Sequence, residues 1–361
     1  MRSRLLPGLA CAALAATPIR AQGEGGFPEV HAMAFGDVVY SAGRDSANGF
    51  RLGQAVGHLN ARLTSRLAFF AEISATARES SFDVEAERLI IRYDFRDELK
   101  LSAGRFHTPL GYWNAAYHHG AWLQTTVDRP EMVRFGGTLI PAHFVGFLAE
   151  GSVPASGVSY SLGVGNGRGR LLSRGGEAGD ANTSLAVVAS LRVRPATLRA
   201  VEVGVSAYGD RVTPADGTDS EERMYAAHLV WNPAAAEVIG EYTVITHEAR
   251  QGGSLPTSSG VGYLQAGYRT RASITPYARI ERTSVAADDA PFAALVPGYR
   301  AGIAGVRYDF APLAALKAEY RRERRAEARW FDTVHLQVSF VVPSLGGGDA
   351  PAAAPHAETH P

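Results

Sequence analysis

Four histidines fall in one segment, RFHTPLGYWNAAYHHGAWLQTTVDRPEMVRFGGTLIPAHFV, which spans residues 105–145. They are His107, His118, His119 and His143. Imidazole carries protons near neutral pH and is a common metal ligand. Adjacent histidines leave most backbones in different directions, however, and no cysteine or carboxylate completes a familiar ligand spacing here. The favoured reading is a set of hydrogen-bonding histidines that stabilise a loop, with no metal and no cofactor. The same segment carries Tyr112, Trp113, Tyr117, Trp122 and Arg134. Its indoles could form a slide for sugars, pack the segment against a wall or sit at a subunit contact, and packing is favoured.

Other chemistry is thinly represented. There is no GxSxG elbow, no HExxH and no Walker A motif. The run Gly163-Val164-Gly165-Asn166-Gly167 lacks both the lysine and the following helix of a phosphate loop, and reads as the end of a strand. The only cysteine is Cys11. These absences point away from an enzyme.

The elements that must position the histidine segment are strands. In Arg88 to Phe95, Leu89, Ile91, Tyr93 and Phe95 alternate with Arg88, Arg92 and Asp94, and Ile90 is the exception. Side chains leave a strand on alternate faces, so a period of two is a strand signal. Val334, Leu336, Val338, Phe340 and Val342 repeat the stripe, as do Val201, Val203 and Val205, and Ala304, Val306, Tyr308 and Phe310. About sixteen such segments are expected. They centre near residues 36, 56, 71, 89, 102, 146, 161, 189, 203, 226, 241, 265, 278, 304, 317 and 336. Short turns at Asp97-Glu98, 154–157, 195–197, Asn232-Pro233 and Ala311-Pro312 alternate with longer stretches at 167–183, 210–221, 249–260 and 284–298. That alternation fits an up-and-down barrel with one clipped rim and one elaborated rim.

Composition narrows the class. The chain has 361 residues, 36 Lys+Arg against 36 Asp+Glu, 46% apolar and 20% charged residues. Zero net charge argues against nucleic-acid binding, and the apolar content argues against wholesale disorder. Mean hydropathy is −0.08 and no late apolar run approaches the length of a spanning helix, which excludes a polytopic helical membrane protein. Arg2 and Arg4, the apolar Leu5 to Ala16 and a cut after Ala21 read as a secretory signal; Cys11 lacks a lipobox. The domain expectation is therefore a cleaved signal at 1–21, a barrel at 22–342 and a low-complexity tail at 343–361. The mature chain would hold 340 residues, a formal charge of −3 and no thiol.

Alternation alone does not say which face is wet. Tyr93, Phe95, Tyr242, Tyr268, Tyr308, Phe310 and Tyr320 sit on apolar faces, where an interfacial aromatic girdle is expected. The opposite faces carry Arg88, Arg92, Asp94, Glu237, Glu241, Arg279, Glu281, Arg307, Asp309, Lys317, Glu319 and Arg321. In a membrane barrel these would line the lumen, and together with Glu72, Arg105 and Arg134 would set a field across it. Mutually neutralising wall ion pairs are the plainer alternative.

The run GRFHTPLGYWN after an alternating strand, in a chain of this length, resembles outer-membrane porins of the phosphate-selective porin O and P group. The resemblance is most specific over 30–150. It implies a sixteen-stranded barrel, often a homotrimer, with a loop folded inward after the fifth strand and narrowing the pore. Phosphate selectivity in that group goes with basic channel walls. This chain has only Lys100 and Lys317 as lysines, and its inward arginines alternate with carboxylates, so the specificity is not carried over. The expectation is an all-β, transmembrane antiparallel barrel in the bacterial outer membrane. It would contact outer-membrane lipid and pass small hydrophilic solutes or ions, anions among them, through a lumen narrowed by His107, Tyr112, Trp113, His118, His119, Trp122 and Arg134. The alternatives are a barrel enzyme and a plugged structural barrel.

Overall fold

A computed structural model describes residues 26–343, apart from 45–47, 79, 118, 135, 173–179, 181, 215–218 and 252–254. The proposed signal, most of the proposed tail and His118 therefore lie outside the described residues.

The first strands are β1 (Glu29–Gly43), β2 (Gly49–Leu52), β3 (Gln54–Arg62), β4 (Leu67–Ala77), β5 (Phe82–Arg96) and β6 (Leu99–His107). A long loop then precedes β7 (His143–Val153), β8 (Val158–Asn166), β9 (Ala186–Val193), β10 (Val201–Val212) and β11 (Ser220–Trp231). The chain continues with β12 (Ala236–Ala249), β13 (Thr257–Tyr268), β14 (Ile274–Ser284), β15 (Tyr299–Ala311), β16 (Ala314–Arg325) and β17 (Phe331–Val342). Each pairs antiparallel with its neighbours, and β1 closes the ring on β17 from Ala34↔Val342 to Gly43↔Thr333.

β2 and β3 lie end to end against β1, so the result is a closed sixteen-strand barrel with one extra strand segment. The break falls at Gly53. The Asp37 carboxylate accepts a hydrogen bond from the Gln54 N–H at 3.1 Å and occupies the space where a Cβ on Gly53 would lie. Closure matters because every backbone donor and acceptor then has a partner without water.

All sixteen expected centres fall within strands. The short turns gather at one rim and the longer connections at the other. The stretch 210–221 is shorter than its turn chemistry suggested, because β10 runs to Val212 and β11 starts at Ser220.

The inversion of ordinary globular packing is explicit along β16. Leu316 and Tyr320 are exposed on the outer surface, whereas Ala315, Lys317 and Glu319 are buried inside. Leu89, Ile91, Leu336 and Val338 face outward in the same way. A barrel greasy outside and charged inside is built to sit in a bilayer. Tyr93 and Phe95, Tyr308 and Phe310, and Tyr268 stand outward near the short-turn rim, as a girdle requires. Tyr242 is also outward but lies mid-strand in β12, and Tyr320 lies toward the opposite rim, so neither belongs to that ring.

The packed core is inside the barrel. Loop 108–142, after the fifth strand of the ring, folds into the lumen with a short helix at Trp113–Ala116 and 3-10 turns at Ala121–Leu123 and Glu131–Val133. Its Leu110, Tyr112, Trp113, Tyr117, Met132, Val133, Leu139 and Ile140 pack against Phe106, Phe144, Val188, Tyr208, Met224 and Tyr263 of the wall. Ile90, out of phase in the sequence, points inward to join that cluster.

Candidate functional site: the loop-divided lumen

A loop of mostly irregular backbone held inside a barrel must find partners for its N–H and C=O groups. The wall from β12 to β16 supplies them as alternating acids and bases. Trp113 N–H donates to Glu241 Oε2 at 3.0 Å, and the Thr125 hydroxyl donates to Glu237 Oε1 at 3.0 Å. Val127 N–H donates to Glu319 Oε2 at 3.0 Å, and Glu131 N–H to Glu281 Oε2 at 2.6 Å. In the opposite sense, Lys317 Nζ donates to the Ala121 and Thr126 carbonyls at 2.6 and 2.9 Å. Arg307 donates to the carbonyls of Trp122 and Gln124 at 2.7 and 2.8 Å. Arg279 reaches the Thr126 hydroxyl at 2.9 Å and the Asp128 carbonyl at 3.0 Å.

These wall charges were expected to line an open pore. Glu237, Glu241, Arg279, Glu281, Lys317 and Glu319 are instead buried beneath the loop. They face inward, as alternation required, but a strand-by-strand reading cannot know that a distant segment covers them. Arg321 sits at the edge of this contact, 3.3 Å from Asp128 and 3.1 Å from Glu319. Burial pushes the Asp128 carboxyl up, but the guanidinium groups of Arg321 and Arg51 outweigh it and hold its pKa below the ordinary aspartate value.

The loop's aromatic residues divide. Trp113 is fully buried, 5.0 Å from the Tyr117 ring and 5.7 Å from Tyr263, with Tyr112 5.9 Å from Tyr117. Trp122 is half-buried with the Arg307 guanidinium 5.8 Å from its ring. Arg134 does not join the wall: it is exposed and pairs with Glu131 at 3.1 Å. Arg325 on β16 grips Glu131 in its place, through two bonds of 2.7 and 2.9 Å. Gly111 has φ +74°, and a Cβ there would meet Glu241 Oε1 at 1.8 Å, so the loop's entry requires glycine.

A second buried network holds the loop's far end. Arg168 donates to Glu222 at 2.9 Å and to the Thr138 and Leu139 carbonyls at 2.5 and 2.8 Å. Glu222 meets His247 Nε2 at 2.9 Å, Asp289 meets His247 Nδ1 at 2.8 Å, and the Ser259 hydroxyl donates to Asp289 at 2.8 Å. The carboxylate thus lies between serine and imidazole, so His247 is not placed to take the serine proton. This is a brace between loops.

The opposite side of the lumen holds a cavity beside the loop. It measures about 410 Å³ and lies against β1 and β3 to β9, lined by Arg62, Arg88, Arg92 and Arg192 with Glu29 and Glu150. Arg92 pairs with Asp94 at 2.8 Å, and Arg88 with Glu72 at 2.5 Å. Arg62 and Arg192 were missed at the sequence level, since each lies in a strand whose alternation is weak.

His107, His119 and His143 come together on this side. The ring centroids of His107 lie 5.7 Å from His119 and 5.2 Å from His143. Glu87, not singled out in the sequence, stands 3.0 Å from His143 and 3.4 Å from His119. It arrives there through a bulge: Glu72 pairs with Arg88 and Ile73 with Ala86, leaving Glu87 as the extra residue. A bulge turns two consecutive side chains toward one face. The signal was present in the sequence. Outward residues are Phe82 and Val84 before the bulge, Leu89 and Ile91 after it, and the stripe changes phase between them.

No protein-family profile and no curated protein matches this sequence. The fold has solved counterparts. An anion-selective porin from Comamonas acidovorans superposes with a TM-score of 0.64 at 9% identity, covering 87% of this chain and 100% of that one. The outer membrane channel DcaP of Acinetobacter baumannii gives 0.62 at 11% identity, covering 87% and 97%. The trimer form of OmpT, an outer membrane protein of Vibrio cholerae, gives 0.59 at 14% identity, covering 87% and 99%. At these identities the likeness is one of architecture: this chain has the closed sixteen-strand fold of outer-membrane porins.

Proposed function

We propose that this protein is an outer-membrane porin, a non-enzymatic channel through which small hydrophilic solutes and ions diffuse passively, with anions favoured. The observation that carries this reading is the division of the lumen. One wall spends its charges on the backbone of the inserted loop. The other presents four arginines and two glutamates to the cavity beside it, with Arg88 and Arg92 paired to Glu72 and Asp94 outside that lining. Fixed cationic side chains along a narrow, low-dielectric passage attract anions and repel cations. The anion-selective porin among the structural neighbours supports the same preference.

Phosphate specificity is not part of the proposal. Lys317, one of only two lysines, is committed to loop carbonyls, and the cavity arginines share it with carboxylates. Residues 1–21 act as an export signal, 22–342 as the barrel and 343–361 as a tail beyond it. By analogy with the trimeric neighbour, the assembly is a homotrimer.

Liposome swelling tests the transport claim. Vesicles carrying the refolded barrel should swell in small sugars and amino acids, at rates that fall with solute size. Swelling no faster than in protein-free vesicles contradicts it.

A further inference from the structure

The geometry points to a structural zinc site formed by His107, His119 and His143 with Glu87, clipping the inserted loop to the barrel wall. One ring nitrogen of each histidine lies within 4.8 Å of the other two. Tetrahedral zinc with bonds near 2.0–2.1 Å holds its ligand atoms about 3.4 Å apart, so the imidazole nitrogens, within 4.8 Å of one another, need close by at most about 1.4 Å. The Glu87 carboxylate already touches two of them, with Oε2 3.0 Å from His143 Nε2 and Oε1 3.4 Å from His119 Nε2. Three imidazoles and one carboxylate make a complete set for a closed, four-coordinate site.

Four elements deliver these ligands. His107 ends β6 and His143 begins β7, where they face each other in register. His119 comes from the loop, and Glu87 from the bulge in β5. The three histidine side chains are 6%, 0% and 7% exposed, and Glu87 is 4% exposed. Such burial suits a structural metal better than one that exchanges with solutes in transit.

The surroundings orient the ligands. The Ser74 hydroxyl donates to Glu87 Oε1 at 2.5 Å, and Gln54 Oε1 lies 3.2 Å from His119 Nδ1, which leaves Nε2 as the ligand atom. Glu72 sits 3.3 Å from His107 Nε2 and is paired with Arg88. Arg105 is the opposing feature, 3.3 Å from His143 Nδ1. With zinc on Nε2 that nitrogen carries the proton, so the contact must open. Arg105 keeps its bond to the Glu87 carbonyl at 3.2 Å.

This inference stands apart from the transport proposal and is tested without conductance. The refolded full chain in detergent is stripped with chelator, then titrated with Zn²⁺ and, separately, Co²⁺. The expected result is one equivalent of zinc per chain and the visible absorption of tetrahedral cobalt, discharged by zinc. His119→Ala removes a ligand from the loop alone, so the barrel still folds by heat-modifiable gel mobility. It should weaken binding at least about tenfold. Glu87→Gln should do the same, and His31→Ala, on β1, should change nothing. Sub-stoichiometric binding, octahedral cobalt, or unchanged affinity in both His119→Ala and Glu87→Gln overturns the assignment.

Discussion

Lys317 on β16 donates its ammonium group to the carbonyl of Ala121 at 2.6 Å and to that of Thr126 at 2.9 Å. A wall lysine thereby holds the backbone of a loop that enters the barrel ten strands earlier in the ring. The same wall uses Glu241, Glu319 and Arg279 in the same way, so the division of the lumen rests on charged groups that water does not reach.

Lys317→Met should therefore loosen the loop while leaving the barrel closed. Each charge-assisted bond lost removes about 1.5–3 kcal/mol, and two buried carbonyls are left without their donor. Limited proteolysis of the variant should cut near 121–127 several-fold faster than in the parent protein, with gel mobility of the folded barrel unchanged.

Gly111→Ala addresses the loop's entry. The φ of +74° and the 1.8 Å approach to Glu241 leave no room for a methyl group. A displaced entry takes Trp113 from its site between Tyr117 and Tyr263. Quenching of tryptophan fluorescence by iodide should increase in this variant beyond that due to the exposed Trp231 and Trp330.

The cavity arginines set the sign of selectivity. Arg92→Glu with Arg192→Glu turns four arginines and two glutamates into two and four. The reversal potential in a salt gradient should then move toward cation preference, while the step size changes less. No movement would mean that ions pass elsewhere.

The pH response of the loop contact follows from Asp128. Its carboxyl pKa is held below the ordinary value by Arg321 and Arg51 against the opposing effect of burial. The stabilisation from these pairs is fully present above the unfolded value of about 3.9 and is lost only as pH falls through the lower folded value. Resistance to protease near 121–134 should thus be constant from pH 7 to pH 5 as far as Asp128 governs it. Asp128→Asn should lower that resistance across the same range, and equal resistance of the two proteins there would contradict the assignment.

The barrel was legible because its alternation has a mechanical cause. Leu336 and Val338 must face lipid while Gln337 and Ser339 must not, so the period of two survives in the sequence. Loop 108–142 announced itself by breaking that period. Its partners did not. Lys317 and Glu319 read as inward residues, but the carbonyls and N–H groups they serve lie over 190 residues away, and no local pattern encodes that distance. The histidine cluster was half legible: His107, His119 and His143 stood out by type, whereas Glu87 reached them only through the bulge. Its trace was the change of phase between Val84 and Leu89.

The most direct test of the account is single-channel recording of the refolded chain in a planar bilayer, with the reversal potential read under a KCl gradient. Discrete steps with a potential of the sign given by chloride permeation are the predicted result, because the cavity beside the loop is lined by more arginine than glutamate. Silence from protein shown to be folded, or a potential set by potassium, would contradict it.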